Sequence, residues 1–389
     1  MEFSLALFIA LLVLAAIYAI ALLLVLHGWS RLTHDQALET DLISNESAFL
    51  SVVVAARNEA KNIVPLIESL VCQDLDPRQF EIIIADDHSD DDTAELVQEL
   101  ADKYSNLRLV RCDGPGGSGK KHALSRAIDV TKGDIIVITD ADCRHHPAWL
   151  RQHLSVYLKK EVQMVSGPVA IVEKKGFLAA FQEMEMSSLM ALTGAMFAFK
   201  NPFLSNGANI SFRKSAFLKI GGFEGYEQYP SGDDVFLLHQ LKKEFPFGLY
   251  FINNPEAVVR TAPVQRLHQF YYQRLRWASK WKAFSNTGNT LSAFFVFIFH
   301  ALQVITLILL LKGAGNAELW MTAMSLRLLS EWILIREMSM ELSQRFNVLS
   351  FLASYIIYPF YAVFFGIFAT AGKRYYWKGR QLKINQNDR

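Results

Sequence analysis

The sequence predicts an α/β protein: an open, mostly parallel sheet in a central domain, flanked by transmembrane helices. Three observations predict it. Short β-branched runs alternate with helically spaced segments through the first half of the central region, long uncharged apolar runs stand at both ends, and the charged residues are gathered between them. Of 389 residues 51% are hydrophobic and 20% charged, too apolar for a disordered chain. The 39 Lys+Arg against 38 Asp+Glu leave a charge of +1, without the basic excess of a nucleic-acid-binding surface, so no nucleic acid partner is expected. Cys72, Cys112 and Cys143 are too few and too scattered for a disulfide framework or a closed zinc site, which fits a reducing compartment.

The first element, Phe3 to Leu26, carries no charge and is long enough to cross a hydrocarbon core. A cleaved signal peptide would begin with basic residues and hold a shorter apolar core, whereas the first charge here is Glu2. Leu291 to Leu311 and Leu349 to Ala371 are again long enough to span. Between them, Ala317 to Ile335 holds Glu318, Arg327 and Glu331, the last two spaced to pair on one helix face. A buried span, a re-entrant segment and an interfacial helix all stay open for it. The basic cluster Lys373, Arg374, Lys378, Arg380 and Lys383, and the stretch Arg274 to Lys282, are expected on the cytoplasmic side. The apolar region after Thr290 then crosses an even number of times, as two full spans around a non-spanning segment. The resulting division is an N-terminal transmembrane helix (residues 1–28), an α/β domain (29–262), an interfacial helix (263–290), a C-terminal transmembrane region (291–372) and a basic tail (373–389).

Within the domain, Leu50 to Ala56 reads as a strand buried on both faces, because its β-branched residues show no polar alternation. Asn58 to Val71 has helical spacing, Phe80 to Ala85 is a second buried strand, and Asp92 to Tyr104 a second helix. Leu107 to Val110, Lys121 to Val130 and Asp134 to Thr139 add a strand, a helix and a fourth strand. Strands and helices in alternation predict right-handed crossovers and a ligand at the carboxyl ends of the strands.

Those ends are acidic. The first strand runs into Asn58 and Glu59, the second into Asp86 and Asp87, the fourth into Asp140-Ala141-Asp142. Like charges in one crevice repel unless a cation or hydrogen-bond donors sit among them, which implies a metal ion or the donor edge of a nucleobase. Alternate carboxylates after a buried strand suit Mg²⁺ or Mn²⁺, although two solvated turn aspartates would look the same. Gly114 to Lys120 nearly matches a phosphate loop, but Lys121 stands where a metal-binding hydroxyl is needed, so a flexible turn delivering Lys120 to a nucleotide competes with that reading. Asp233 and Asp234 open an apolar helical stretch, as helix caps or as a general base. Gln273, Arg276 and Trp277 share one helix face just before the membrane, where a cation and an indole would serve as an interfacial anchor or as a site for a diphosphate and a sugar ring.

Together these residues resemble the membrane-bound members of glycosyltransferase family 2, inverting enzymes of the GT-A fold that include cellulose and hyaluronan synthases. The resemblance runs through nearly the whole chain. It matches Asn58 and Glu59 to the Asn-Glu after the first strand, Asp86, Asp87 and Ser89 to a DDxSxD loop that holds the nucleobase, and Lys120 to the lysine of GKxxALN, with Ser125 where Asn is usual. It implies Asp140 and Asp142 as ligands of Mg²⁺ or Mn²⁺, Asp142 directly. Asp233-Asp234 match the acidic pair, Asp234 being the base, and Gln273, Arg276 and Trp277 match the QxxRW motif, with Trp277 toward the acceptor. The implied reaction moves a sugar from a nucleotide-diphosphate donor, expected to be a UDP-sugar, to a lipid-linked or polysaccharide acceptor. The implied setting is an integral protein of the cell or inner membrane with its catalytic domain in the cytoplasm. QxxRW favours a processive polymerase, whereas the few C-terminal spans favour a single addition. A membrane-anchored P-loop-like NTPase, a phospho-group or nucleotidyl transferase acting on a membrane lipid, and a non-catalytic receptor of the same fold stay open beside it.

Overall fold

Strands with no polar alternation need cover on both faces. The computed structural model, which describes residues 2–36, 48–112, 117–157, 161–172, 176–226, 232–279, 287–371, 374–377 and 380–383, supplies it. β1 (Leu50–Ala56), β2 (Phe80–Asp86) and β3 (Leu107–Arg111) alternate with α2 (Ile63–Val71) and α3 (Thr93–Ala101), after the N-terminal α1 (Glu2–Gln36). α4 (Lys120–Asp129) leads to β4 (Ile135–Asp140), and the short β5 (Cys143–Arg144) follows at once. Next come α5 (Trp149–Tyr157), β6 (Met164–Ser166), β7 (Val169–Ile171), α6 (Phe177–Ala198), β8 (Ile210–Arg213), α7 (Lys214–Lys219), α8 (Asp233–Glu244), β9 (Leu249–Phe251) and β10 (Val259–Thr261). α9 (Leu267–Ser279), α10 (Thr287–Leu311), α11 (Ala317–Glu341), α12 (Val348–Ala371), β11 (Arg374–Trp377) and β12 (Arg380–Lys383) complete the chain.

The main sheet has the order β3-β2-β1-β4-β8-β6-β9. It is mostly parallel, as expected, with β8 antiparallel to both β4 and β6. Register carries the functional consequence. Ala56 of β1 lies opposite Asp86, and Ala55 lies opposite Asp140, so the acidic ends of β2 and β4 flank β1 on one edge. A second sheet, β5-β10-β7, begins just beyond Asp142, so the Asp-Ala-Asp tripeptide spans the gap between two sheets.

The second helix ends at Ala101 rather than Tyr104, and the start of the first shifts further. The first helix begins at Ile63 rather than Asn58, because Asn58 adopts φ +53° and its backbone N–H donates to Ser89 Oγ at 3.0 Å. Residues 57–62 therefore belong to the strand-end loop that carries the site. Gly114 to Gly116 of the glycine-rich stretch, Ser231, residues 280–282, and Lys373 and Lys378 of the basic cluster lie outside the described residues.

Helices cover the rest. Among the described residues three are long and apolar enough to cross a membrane, Ser4–Leu32, Thr290–Leu311 and Val348–Phe368. They leave Ile9, Val13, Leu291, Phe294 and Ile356 exposed, as a lipid-facing surface would. α1 is fastened to the domain through α6, where a Cβ on Gly194 would fall 2.6 Å from the Trp29 ring and one on Gly28 would fall 2.8 Å from Ala195 Cβ. Only glycine permits that approach. The Arg327–Glu331 pair expected from spacing forms within α11, Nε to Oε1 at 2.9 Å, with Arg327 1% exposed. Arg327 also donates to Gln303 Oε1 and to the Tyr355 carbonyl, each at 3.0 Å, and Tyr18 donates to Glu331 at 3.0 Å. These bonds tie α11 to α10, α12 and α1. A buried charge satisfied on every side is what a low-dielectric bundle requires.

Behind β4 lies a second buried polar network. His153 Nδ1 is 2.8 Å from Ser211 Oγ and its Nε2 3.0 Å from Asn209 Oδ1, which also accepts from Trp149 Nε1 at 3.0 Å. His145 Nε2 lies 2.9 Å from Thr139 Oγ1, beside Asp140 in sequence. Burial lowers the pKa of His153 to about 4 and that of His145 to about 3. Both rings are therefore neutral in the fold, while unfolded imidazoles take up protons near pH ~6.5. The unfolded state binds more protons below that value, so the contribution is complete above pH ~6.5 and declines on acidification toward the folded values. Together the two rings predict a slope of up to roughly 2.7 kcal/mol per pH unit between pH ~6 and ~4.5. Stability of His153→Asn measured across this range should show a slope lower than that of the wild type by up to roughly 1.4 kcal/mol per pH unit; an unchanged slope would exclude His153 as a source.

Candidate active site

The site is built where β1, β2 and β4 end. Two non-glycine residues sit in the left-handed region there, Asn58 at φ +53° and His88 at φ +56°, a strain that surrounding bonds must hold. Arg57 supplies several of them, donating to the carbonyls of Asp87 at 2.7 Å and His88 at 2.6 Å and pairing with Asp90 at 3.3 Å. Asn58 Oδ1 accepts from the Asp90 N–H at 2.8 Å, and the Glu59 N–H donates to Thr93 Oγ1 at 2.8 Å. Asn58 and Glu59 thus brace the loop after β2. That loop presents Asp86 and Asp87, which are 3% and 2% exposed. Both Asp87 oxygens accept from the Gly119 N–H at 3.0 Å. Asp86 Oδ2 accepts from the Ser89 N–H at 3.2 Å, while its buried Oδ1 has no hydrogen-bond partner among the described residues. A buried acceptor left open at a sheet edge suits a ligand N–H.

Lys120, the first residue of α4, reaches across the edge. Its Nζ lies 2.7 Å from Asp140 Oδ1 and 3.0 Å from Asp233 Oδ2. Burial alone would lower its pKa, but Asp140, Asp233 and Asp234 together carry it above the ordinary lysine value, so it stays charged. Asp142 reaches solvent beside this pair. The protein mass crowding the crevice, and then the charge of Asp140, raise its pKa above the usual carboxylate value. A carboxylate with that tendency, set beside a second one, forms a place for positive charge.

Asp233 and Asp234 are the first two residues of α8, where the helix dipole favours each anion by about 0.3–1 kcal/mol. Both are buried. Asp234 is held from two sides, Oδ2 accepting from the Gly207 N–H at 3.0 Å and Oδ1 from the Val235 N–H at 2.9 Å. Gly207 can approach this closely because it has no side chain; a Cβ there would lie 3.2 Å from Lys120 Nζ and 3.3 Å from Asp233 Oδ2. The Asn206-Gly207 turn is thus part of the site, and the Asn-Gly pair before β8 was the signal for it.

α9 places Gln273, Arg276 and Trp277 at the junction with the apolar helices. All three are half-buried. The charge at the centre of this helix, however, is Arg274, 4% exposed and paired with Glu185 of α6. Its guanidinium carbon stands 4.2 Å from the Trp277 ring, and Trp277 also packs on the main core. One face of the expected acceptor platform is therefore taken by the protein itself. Glu185, Arg274 and Tyr361 were not anticipated; the signal was Gln182, Glu183 and Glu185 inside the otherwise uncharged run Phe177–Ala198.

Comparison with known proteins bears on this geometry. Residues 51–221, which hold the ends of β1, β2 and β4 and the Gly207 turn, match the family described as Glycosyl transferase family 2. A beta-monoglucosyldiacylglycerol synthase of Nostoc sp. is 28% identical over 237 residues, covering 61% of this chain and 49% of its own. Glycosyltransferase AglE of Haloferax volcanii is 29% identical over 233 residues, covering 59% of this chain and 71% of its own. Against the first of these the chain spans about half the relative's length. Among solved structures, a mannosyltransferase from Pyrobaculum calidifontis in complex with GDP-Man and Mn2+ shares the fold with a TM-score of 0.53 at 17% identity, covering 93% of this chain and 97% of that one. A sheet of this topology, an acidic edge with its lysine and a family match across the same residues lead to one assignment: residues 51–221 form a domain of the glycosyl transferase family 2 type, and the central domain is built on the GT-A fold.

Proposed function

We propose that the chain is an inverting transferase that moves a sugar from a nucleotide-diphosphate donor to a hydroxyl of a lipid or lipid-linked acceptor at the membrane surface. The observation that carries this reading is the position of Lys120. A single ammonium touches both Asp140 at the end of β4 and Asp233, the neighbour of Asp234 at the start of α8. An in-line displacement needs its leaving-group end and its base end within that reach of each other. The relatives support the acceptor class, since one is named for making a glucosyldiacylglycerol.

Each residue has a task in this scheme. The open Asp86 Oδ1 accepts from the nucleobase, while the Arg57 and Asn58 bonds hold its loop in place. Asp234, oriented by the Gly207 and Val235 N–H groups, takes the proton of the acceptor hydroxyl. Lys120 and Arg276 face the diphosphate. Asp140 and Asp142 fit a divalent ion, Mg²⁺ or Mn²⁺, because one already holds a cation and the other stands open beside it. Among the described residues no trio of carboxylates, imidazoles or thiols is placed to hold a metal alone, so donor phosphates and water would complete the shell. When bound, the ion supplies neutralisation of the leaving diphosphate.

Two measurements test this. Asp234→Asn should bind donor nearly as the wild type does yet turn over roughly a hundredfold or more slowly, the range of a lost general base; full turnover would remove Asp234 from that role. Lys120→Met frees Asp140, so Mn²⁺ titrated without nucleotide and read by electron paramagnetic resonance should bind roughly tenfold more tightly, about 1.4 kcal/mol. UDP-sugar affinity should fall in the same variant. Unchanged or weaker metal affinity would place the ion away from Asp140.

A further inference from the structure

We infer that Arg274 is a positioning residue that fixes how α9 presents Gln273 and Arg276 to the donor and Trp277 to the acceptor, an inference that rests on the proposed transferase reading. Every nitrogen of its guanidinium is engaged. Nε lies 2.9 Å from Glu185 Oε2, 3.1 Å from Glu185 Oε1 and 3.1 Å from Tyr361 Oη; Nη2 donates to Glu185 and Nη1 to Gln273 Oε1. Tyr361 of α12 closes the triangle by donating to Glu185 Oε1. The guanidinium carbon stands 4.2 Å from the Phe270 ring and 4.2 Å from the Trp277 ring.

A buried ion pair adds little net stability, because desolvation offsets the attraction, and apolar side chains of similar volume often serve the fold as well. What apolar packing does not supply is direction. A planar fork bound to a carboxylate on one helix and a phenol on another admits one rotation of α9 about its axis. The same group grips Gln273 and Trp277, two residues of the face that also carries Arg276. α12, which supplies Tyr361, is long and apolar enough to cross a membrane. The aim of the motif is thus set by helices packed outside the sheet.

The test compares wild type with Glu185→Leu/Arg274→Met, purified in detergent and labelled with 5-fluorotryptophan. The Trp277 fluorine resonance is assigned by its loss in Trp277→Phe. In the double variant the unfolding midpoint should stay within a few degrees of wild type, the Trp277 resonance should broaden or split, and UDP or GDP titrated with Mn²⁺ should bind about tenfold more weakly. A sharp single resonance with wild-type nucleotide affinity would overturn the inference. If the double variant does not fold, Tyr361→Phe decides: it removes one hydroxyl and should also broaden the resonance, and a sharp one overturns the inference. Failure of the wild type to bind either nucleotide would count against the transferase reading, and the fluorine spectrum would still decide the role of Arg274.

Discussion

Everything at the active edge depends on the repulsion among its carboxylates. Asp86, Asp87, Asp140, Asp142, Asp233 and Asp234 are brought together by strand register and by the start of α8, and they cannot stay close without compensation. The fold compensates in three ways. Backbone N–H groups hold Asp87 and Asp234, the helix dipole favours Asp233 and Asp234, and the Lys120 ammonium lies between Asp140 and Asp233. Asp142 and the open oxygen of Asp86 are compensated least. That uneven distribution separates the part of the site that is finished in the fold from the part that a ligand completes.

The parallel strands were legible because burial on both faces leaves a direct trace, a β-branched run with no alternation, and each such run formed a strand. The acidic residues were legible because their place at strand ends follows from topology. Asn58 was misread as helical because its left-handed backbone is set by a partner thirty-one residues away, Ser89, and local spacing has no view of that bond. α6 escaped notice for the opposite reason. It is apolar around most of its circumference, so it shows no amphipathic period, and only its place between α1, α11 and α12 explains it.

The QxxRW segment shows where motif reading stops. Spacing correctly put Gln273, Arg276 and Trp277 on one helix, yet the most buried charge of that helix is Arg274, which spacing treats as filler. Its partners come from α6 and α12, far apart in sequence and joined only by packing. The Arg327–Glu331 pair, by contrast, lies within one helix at a separation of four, so it could be read directly; its tethers to Gln303, Tyr355 and Tyr18 could not.

The contact of Gly28 and Gly194 with the opposing helix gives the fold a ruler. With no side chain to act as a cushion, α1 and α6 touch backbone to ring, and neither can slide without opening a void. α1 continues as a rigid rod through the apolar stretch Ser4–Leu32, while α6 leads by a short connection to the Asn206-Gly207 turn that grips Asp234. The altitude of Asp234 above the end of that rod is therefore a fixed dimension of the molecule. Under the proposed transfer to a membrane lipid, an acceptor whose hydroxyl stands at that height is within reach, so headgroup length becomes a selection criterion independent of headgroup chemistry.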